Sequence, residues 1–407
     1  MVKNIDVVRS DICPTLVRAY ARLSVYTEDT ALQDRGRSAV RVGEKCGGKG
    51  FTPDEAWAGA LGEAVERYSA AVPPPEVHTA RLGDLKGDVL DPSTLVLYAA
   101  HQYARPDFPY RPYDPLAQYP WVRGEWLDGT GDVWLPADFV HYAAPGRTAL
   151  AQVTTNGLAA GCGWEDAACR ATLELVERDA FLRMWLSRTA PTRLDLTTAD
   201  SSATDQVARL VRDLEAHGLA LRFYLLPSAG DVPVVLCLGL GDGRVWPAVT
   251  VATAAALDPR SAVEKAALEQ AYTALYLRDV LGSGHRLPTR DTEVTTFLDH
   301  ALRYAGAGTR HRLSFIVDSK KTARLSHLPI PAAGSRDSLR ELVLSLDTPI
   351  AIADVTAGDV AATGARVVRA LAPGLQPLYC GTGLERLANP RLFREADSVH
   401  TMPHPMC

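Results

Sequence analysis

The 407-residue sequence predicts an α/β (α+β) protein. Three long stretches carry helix start signals and helical periodicity. At least four apolar runs of strand length lie between and after them. Hydrophobic residues make up 47% of the chain, ample for a large core. The length allows one large domain or two. We divide it into an N-terminal segment, 1–40, and one domain, 41–407, whose last part, 398–407, is a Pro-rich tail.

Residues 15–26 are apolar with mixed charge, and 38–42 read as a short strand; neither suggests chemistry. GEKCGGKGFTPDEAW (43–57) comes close to the phosphate-loop pattern GxxxxGK[ST], but Gly50 stands where the hydroxyl should be. Thr52-Pro53-Asp54-Glu55 is a capping box with Pro at N1, so the first helix starts after Thr52 rather than at Lys49. That excludes the phosphate-loop reading. It leaves a Gly-rich turn with Lys49 before a helix N-terminus, either a plain strand-to-helix turn or a place to meet an anion. VPPPE (72–76) breaks the chain, and 107–120 is a Pro- and Tyr-rich loop. Short strands are expected at 133–136 and 151–155. A small-residue turn at 154–168, marked by Asn156-Gly157, leads into a second helix at about 164–186. Strands follow at 219–226, 232–240 and 245–254. Asp258-Pro259 opens a third helix to about Arg278, carrying Glu264 and Glu269. Residues 297–304 are helical in pattern, 349–356 read as a buried strand, and 364–379 as a helix or strand.

The first two long helices carry the same string. ALGEAVERYSA (60–70) holds Glu63, Glu66 and Arg67; ATLELVERDAF (171–181) holds Glu174, Glu177 and Arg178. Residues three apart share a helix face, so each copy offers two carboxylates and a guanidinium from one area. A single copy would read as a solvated face with an i,i+4 ion pair. The flanks argue otherwise: the acidic faces continue through Ala56, Gly59 and Ala70, and through Ala167 and Ala171, all small residues that let backbone or ligand approach. Trp57, Leu61, Val65 and Tyr68 read as the core face of the first helix. Four acids around one point repel unless a cation sits among them, and oxygen ligands suit Mg2+, which keeps company with phosphates. Asp166 lies two turns before Glu174, close to the same face.

Other classes are excluded. The net charge of −5 and the lack of a polybasic run argue against nucleic acid. The first residues lack a signal-peptide core, and no apolar run reaches membrane-span length. Seven cysteines, an odd number without CxxC, suit reduced thiols in a cytoplasmic protein. No HExxH, GxSxG, EF-hand or GxGxxG motif occurs. His400, His404 and Cys407 have ligand-like spacing, but Pro403 and Pro405 forbid the helix that would use it.

The ordered set GGKG (47–50), ALGEAVER (60–67), TTNGLAAG (154–161), ATLELVERDAF (171–181), AVEKAALEQAYTAL (262–275), IADVTAGDV (352–360) and VVRALAPGLQPL (367–378), closed by a Pro-containing end, resembles the YcaO family over roughly residues 40 to 407. The resemblance implies mixed sheets with helices around a central ATP and Mg2+ cleft. It implies activation of backbone amides in ribosomally made precursor peptides by phosphorylation of the amide oxygen. The product is most often an azoline from Cys, Ser or Thr; relatives make a macrocyclic amidine or a thioamide. Carried over by position, Glu63, Glu66, Glu174 and Glu177 would hold Mg2+. Lys49, Glu63, Arg67, Asn156, Asp166, Arg178, Glu269 and Arg369 would meet ATP, although Arg67 and Arg178 equally suit salt bridges that hold the acids. Three positions depart from the family: Tyr272 stands where Gln is frequent, Cys162 where some relatives have Asn, and Pro403-His404-Pro405-Met406-Cys407 where azoline-forming members have a Pro-x-Pro-x-Pro tail that reaches the active site. Pro403, Pro405 and Cys407 are therefore the expected tail residues of the catalytic centre. Without an added leader-binding domain, a partner protein or direct recognition would bind the peptide. A homodimer is compatible with all of this, as is a non-catalytic peptide-binding scaffold.

Overall fold

A computed structural model describes residues 2–23, 45–72, 76–142, 150–196, 202–329, 339–395 and 398–406. The expected strand at 38–42, the boundary at residue 40 and Cys407 lie outside the described residues.

Three sheets form the frame. The first is antiparallel, β1 (Val2–Ser10), β2 (Cys13–Leu23) and β3 (Lys45–Gly50) in that order. The second has seven strands. They are β4 (His78–Ala80), β5 (Asp88–Val89), β6 (Tyr119–Trp126), β7 (Asp132–Pro136), β8 (Leu158–Gly161), β14 (Ala351–Asp354) and β15 (Arg366–Leu371). Their order is β5-β7-β6-β14-β15-β8, with β4 on β6. The third runs β12-β11-β10-β9-β13, from β9 (Thr192–Asp195), β10 (Ala220–Leu226), β11 (Val234–Leu240), β12 (Thr250–Ala255) and β13 (Thr322–Arg324).

The five helices that matter here are α1 (Pro53–Ala71), the one-turn α2 (Ala137–Val140), α3 (Trp164–Ser187), α4 (Ser202–Ala216) and α5 (Pro259–Gly282). The capping box at Thr52 forms as expected, with Thr52 accepting from the Glu55 amide and Glu55 accepting from the Thr52 amide. Asp258 caps α5 by accepting from the Arg260 amide. Helix α3 runs between the second and third sheets and packs on β8 and β15 on one side and on β10, β11 and β12 on the other.

Four local expectations change. Residues 45–50 are a strand, not a turn, because their glycines admit α1: a Cβ on Gly48 would collide with the Ala56 carbonyl and the Ala60 amide. Residues 151–155 are not a strand, since side chains take their backbone groups. Tyr98 accepts from the Gln152 amide, and Arg386 and Arg369 donate to the carbonyls of Gln152 and Thr154. The strand expected from 245 starts at Thr250, because the Asp242 carboxylate accepts from the amides of Arg244, Val245 and Trp246 and holds a turn there. Finally, Trp57 is 46% exposed; α1 instead buries Ala56, Ala60 and Ala64 against the sheet. The stretch 364–379 becomes strand β15 and a following loop.

Candidate active site

Strand β15 has two faces. Val367 and Leu371 join the core that holds Ala60, Ala64 and Val65 of α1, whereas Val368 and Ala370 join the core that holds Ala167, Ala171 and Leu175 of α3. So α1 and α3 cover opposite faces of the seven-stranded sheet. They meet around its open edge, β8. The small residues of LAAG keep that edge thin, and Gly157 before it adopts φ +75° where a Cβ would strike the Ala370 carbonyl.

Around this edge the four glutamates divide into two kinds. Glu63 accepts from the Gly47 amide and from Arg67. Glu177 accepts from the Thr253 hydroxyl at 2.6 Å and the Ala255 amide at 3.3 Å, and lies 3.4 Å from Arg178. Glu66 and Glu174 are instead dominated by burial, with the Glu174 charge within reach of Glu66. Burial first, then the Glu174 and Glu63 charges, push the Glu66 carboxyl well above its ordinary range, against the pull of Arg67 and the Ala160 backbone. Part of the Glu66 residue stays open to solvent, but protein surrounds its carboxyl closely enough for burial to dominate. Glu174 is pushed up to about 7, again by burial first and then by Glu177; Arg178, 3.6 Å away, and Arg369 oppose the shift. Arg67 and Arg178 are thus ion-pair partners of the acids.

Arg369 supplies the positive side. It is 2% exposed, and it donates to the carbonyls of Phe139 at 3.0 Å and Thr154 at 2.6 Å. Its Nη1 has no partner. Arg369 lines a cavity with Thr154, Asn156, Leu175, Pro377 and Arg386, and Asn156 accepts weakly from the Leu378 amide at 3.5 Å. Lys49 pairs with Glu269 across β3 and α5, its ammonium 5.5 Å from the centre of the Tyr272 ring. Asp166 sits further out, 38% exposed, accepting from the Cys162 amide and Arg170.

The tail enters the same region. Pro403, His404, Pro405 and Met406 are buried. The Trp185 indole donates to the Met402 carbonyl, Tyr304 to the Pro403 carbonyl, and the His300 ring meets the His404 carbonyl at 2.9 Å. His404 contacts the Tyr379 carbonyl and stacks on His300 with ring centres 4.0 Å apart. Arg178, the partner of Glu174 and Glu177, also reaches the Met406 sulfur. Nothing local in the sequence marks Thr253 or Ala255, which reach Glu177 only through the tertiary fold, or the contact of Met406 with Arg178.

Among the described residues no three His, Cys, Asp or Glu side chains form a ready-made metal cage. The acids still fit a divalent cation: burial pushes Glu66 and Glu174 toward protonation even beside Arg67, Arg178 and Arg369, so added positive charge would relieve that cost, and an unpartnered guanidinium nitrogen of Arg369 fits the oxygens of an anion.

A family model described as YcaO cyclodehydratase, ATP- and Mg2+-binding, matches residues 47–376. The chain belongs to the YcaO family. An uncharacterized protein of Methanothermobacter thermautotrophicus is 32% identical to this YcaO chain over 231 residues, 55% of each sequence, so the chain spans about half the length of that curated relative. A heterocyclase in complex with substrate and cofactor superposes with a TM-score of 0.80 at 21% identity, covering 100% of this chain and 55% of that one. YcaO from Methanopyrus kandleri, bound with AMPPCP and Mg2+, gives 0.64 at 22%, covering 92% and 86%. The E. coli microcin synthetase McbBCD complex gives 0.62 at 14%, covering 91% and 88%. At these identities the structures show a shared fold. No described helix is long and apolar enough to cross a membrane, and the six described cysteines are free thiols.

Proposed function

We propose that this YcaO protein uses ATP and Mg2+ to activate a backbone amide of a ribosomally made precursor peptide, forming an azoline from Cys, Ser or Thr. The observation that carries the reading is Arg178. It pairs with Glu174 and Glu177 and also touches Met406, so one side chain joins the acid cluster to the tail. A site that needed only nucleotide would have no use for a buried strap at that point.

Magnesium–ATP, when bound, supplies the phosphoryl group that turns the amide oxygen into a leaving group. The protein's own groups do the rest by position and charge. Glu66 and Glu174, once ionised, would hold the cation, with Glu63 and Glu177 fixed by backbone amides and Thr253. Arg369 offers Nη1 to an anionic oxygen, with Asn156 beside it in the cavity. Lys49 and Glu269, held as a pair, and Asp166 at the head of α3 are the further nucleotide contacts of this reading. Pro403, Pro405 and Cys407 are the residues of the tail that this reading assigns to the reacting peptide. The neighbours support a peptide substrate and protein partners: one is a heterocyclase in complex with substrate and cofactor and another the microcin synthetase McbBCD complex, also seen with pro-MccB17 bound.

The test is ATP turnover by the purified protein with peptides bearing Cys, Ser or Thr, followed by the peptide's mass. Loss of one water with the side chain consumed means azoline; loss of one water with the amino terminus consumed means a macrocyclic amidine; exchange of oxygen for sulfur means a thioamide. Peptide binding without Mg2+-dependent ATP binding would leave a scaffold instead and overturn the reading.

A further inference from the structure

Two residues beyond α2, Tyr142 is 4% exposed, and its hydroxyl has no hydrogen-bond partner. Enclosing a hydroxyl without a partner destabilises a fold, whereas phenylalanine would fill the same space without that penalty. The Arg369 guanidinium lies over the ring, with Cζ 5.6 Å from its centre, and that same guanidinium carries the unpartnered Nη1. Glu66 and Glu174 are the acids within electrostatic reach of the phenol; burial first and then these two charges raise it to about 12, against the pull of Arg369, so it stays a donor at neutral pH. The Tyr142 hydroxyl and Arg369 Nη1, two buried groups without a geometric hydrogen bond, therefore sit close together and within electrostatic reach of Glu66 and Glu174.

We propose that Tyr142 is a binding residue whose hydroxyl, together with Arg369 Nη1, donates to one phosphate oxygen of the magnesium nucleotide. This rests on the proposed function. It explains why the chain keeps a polar atom where an apolar ring would be more stable. It also gives the segment after α2 a role that its sequence, DFVHY, does not announce. Were Mg2+ held by Glu66 and Glu174, it would take part of its oxygen ligands from the nucleotide phosphates. The Phe139 and Thr154 carbonyls hold the Arg369 fork in position, leaving Nη1 as its free arm.

Tyr142→Phe separates binding from folding. The full-length variant is titrated with Mg2+–AMPPCP by calorimetry beside the wild type, and both are melted without nucleotide. Tyr142→Phe is expected to melt at the same temperature as wild type or higher, and to bind about 10-fold or more weakly, as loss of a hydrogen bond to a charged group requires. Equal affinity, or a lower melting temperature without nucleotide, overturns the assignment. Absence of Mg2+–AMPPCP binding by the wild type overturns the nucleotide reading itself, and this assignment with it.

Discussion

The two Glu-x-x-Glu-Arg copies are identical as strings and opposite in use. In α1 the first acid, Glu63, is fixed by the Gly47 amide and Arg67, and the second, Glu66, faces the cleft. In α3 the second acid, Glu177, is fixed by Thr253 and the Ala255 amide, and the first, Glu174, keeps only Arg178 at 3.6 Å and is raised by burial. The inversion follows from the two helices lying on opposite faces of one sheet and meeting at its edge. It teaches that a repeated motif need not place equivalent residues equivalently. One acid of each pair is hydrogen-bonded to a backbone amide, and the other, raised mainly by burial, is the one we propose to hold the cation.

The comparison breaks most visibly at the cleft. Glu66→Gln and Glu174→Gln should each lower Mg2+-dependent nucleotide affinity by about 100-fold, while the nucleotide-free protein melts at an equal or higher temperature because a buried like-charge contact is gone. Glu63→Gln and Glu177→Gln should lose less affinity, about 10-fold, as supporting groups do. If calorimetry ranks the four the other way round, the division is wrong.

Next in size is stability. Glu63→Ala strands the Gly47 amide, and Glu177→Ala strands the Thr253 hydroxyl and the Ala255 amide. Each should cost about 1–3 kcal/mol in denaturant unfolding. Glu66→Ala should lose less, because burial outweighs the pull of Arg67 and the Ala160 backbone on that carboxyl, and an equal loss would contradict the division.

A smaller effect depends on pH. Glu174 titrates at about 7 in the fold and at its ordinary 4.5 when unfolded. Between those values the folded state holds a proton the unfolded state has released, so this group's contribution to stability falls as pH rises from 4.5 to about 7. Melting curves across that range should lose this component in Glu174→Gln. Smallest of all, Asp166→Asn should change stability by less than about 1 kcal/mol, since its contact with Arg170 is largely exposed. A large loss of nucleotide affinity in that variant would bring Asp166 into the cleft.

Local hydrogen bonding made much of the fold legible. Thr52-Pro53-Asp54-Glu55 and Asp258-Pro259 state their helix starts within a few residues, and both starts fall where expected. Elements that depend on distant partners were not legible. GGKG reads as a turn until β2 pairs with it, and LAAG reads as part of a small-residue turn until β15 does. The same holds at the site. The residue types and the two copies pointed to a cation cleft, but which acid of each pair is free depends on Gly47, Thr253 and Ala255. Tyr142 gave no signal at all, because an unpartnered hydroxyl is a property of its enclosure.

Proton release on binding tests the division of the acids most directly. Mg2+–AMPPCP would be titrated into the protein near pH 7 in two buffers of different ionisation enthalpy, for the wild type and for the Glu66→Gln, Glu174→Gln double variant. The account predicts that the wild type releases protons, because Glu66 and Glu174 must ionise to hold the cation, and that the double variant releases none. Wild-type binding without proton release, or undiminished release and binding in the double variant, would contradict it.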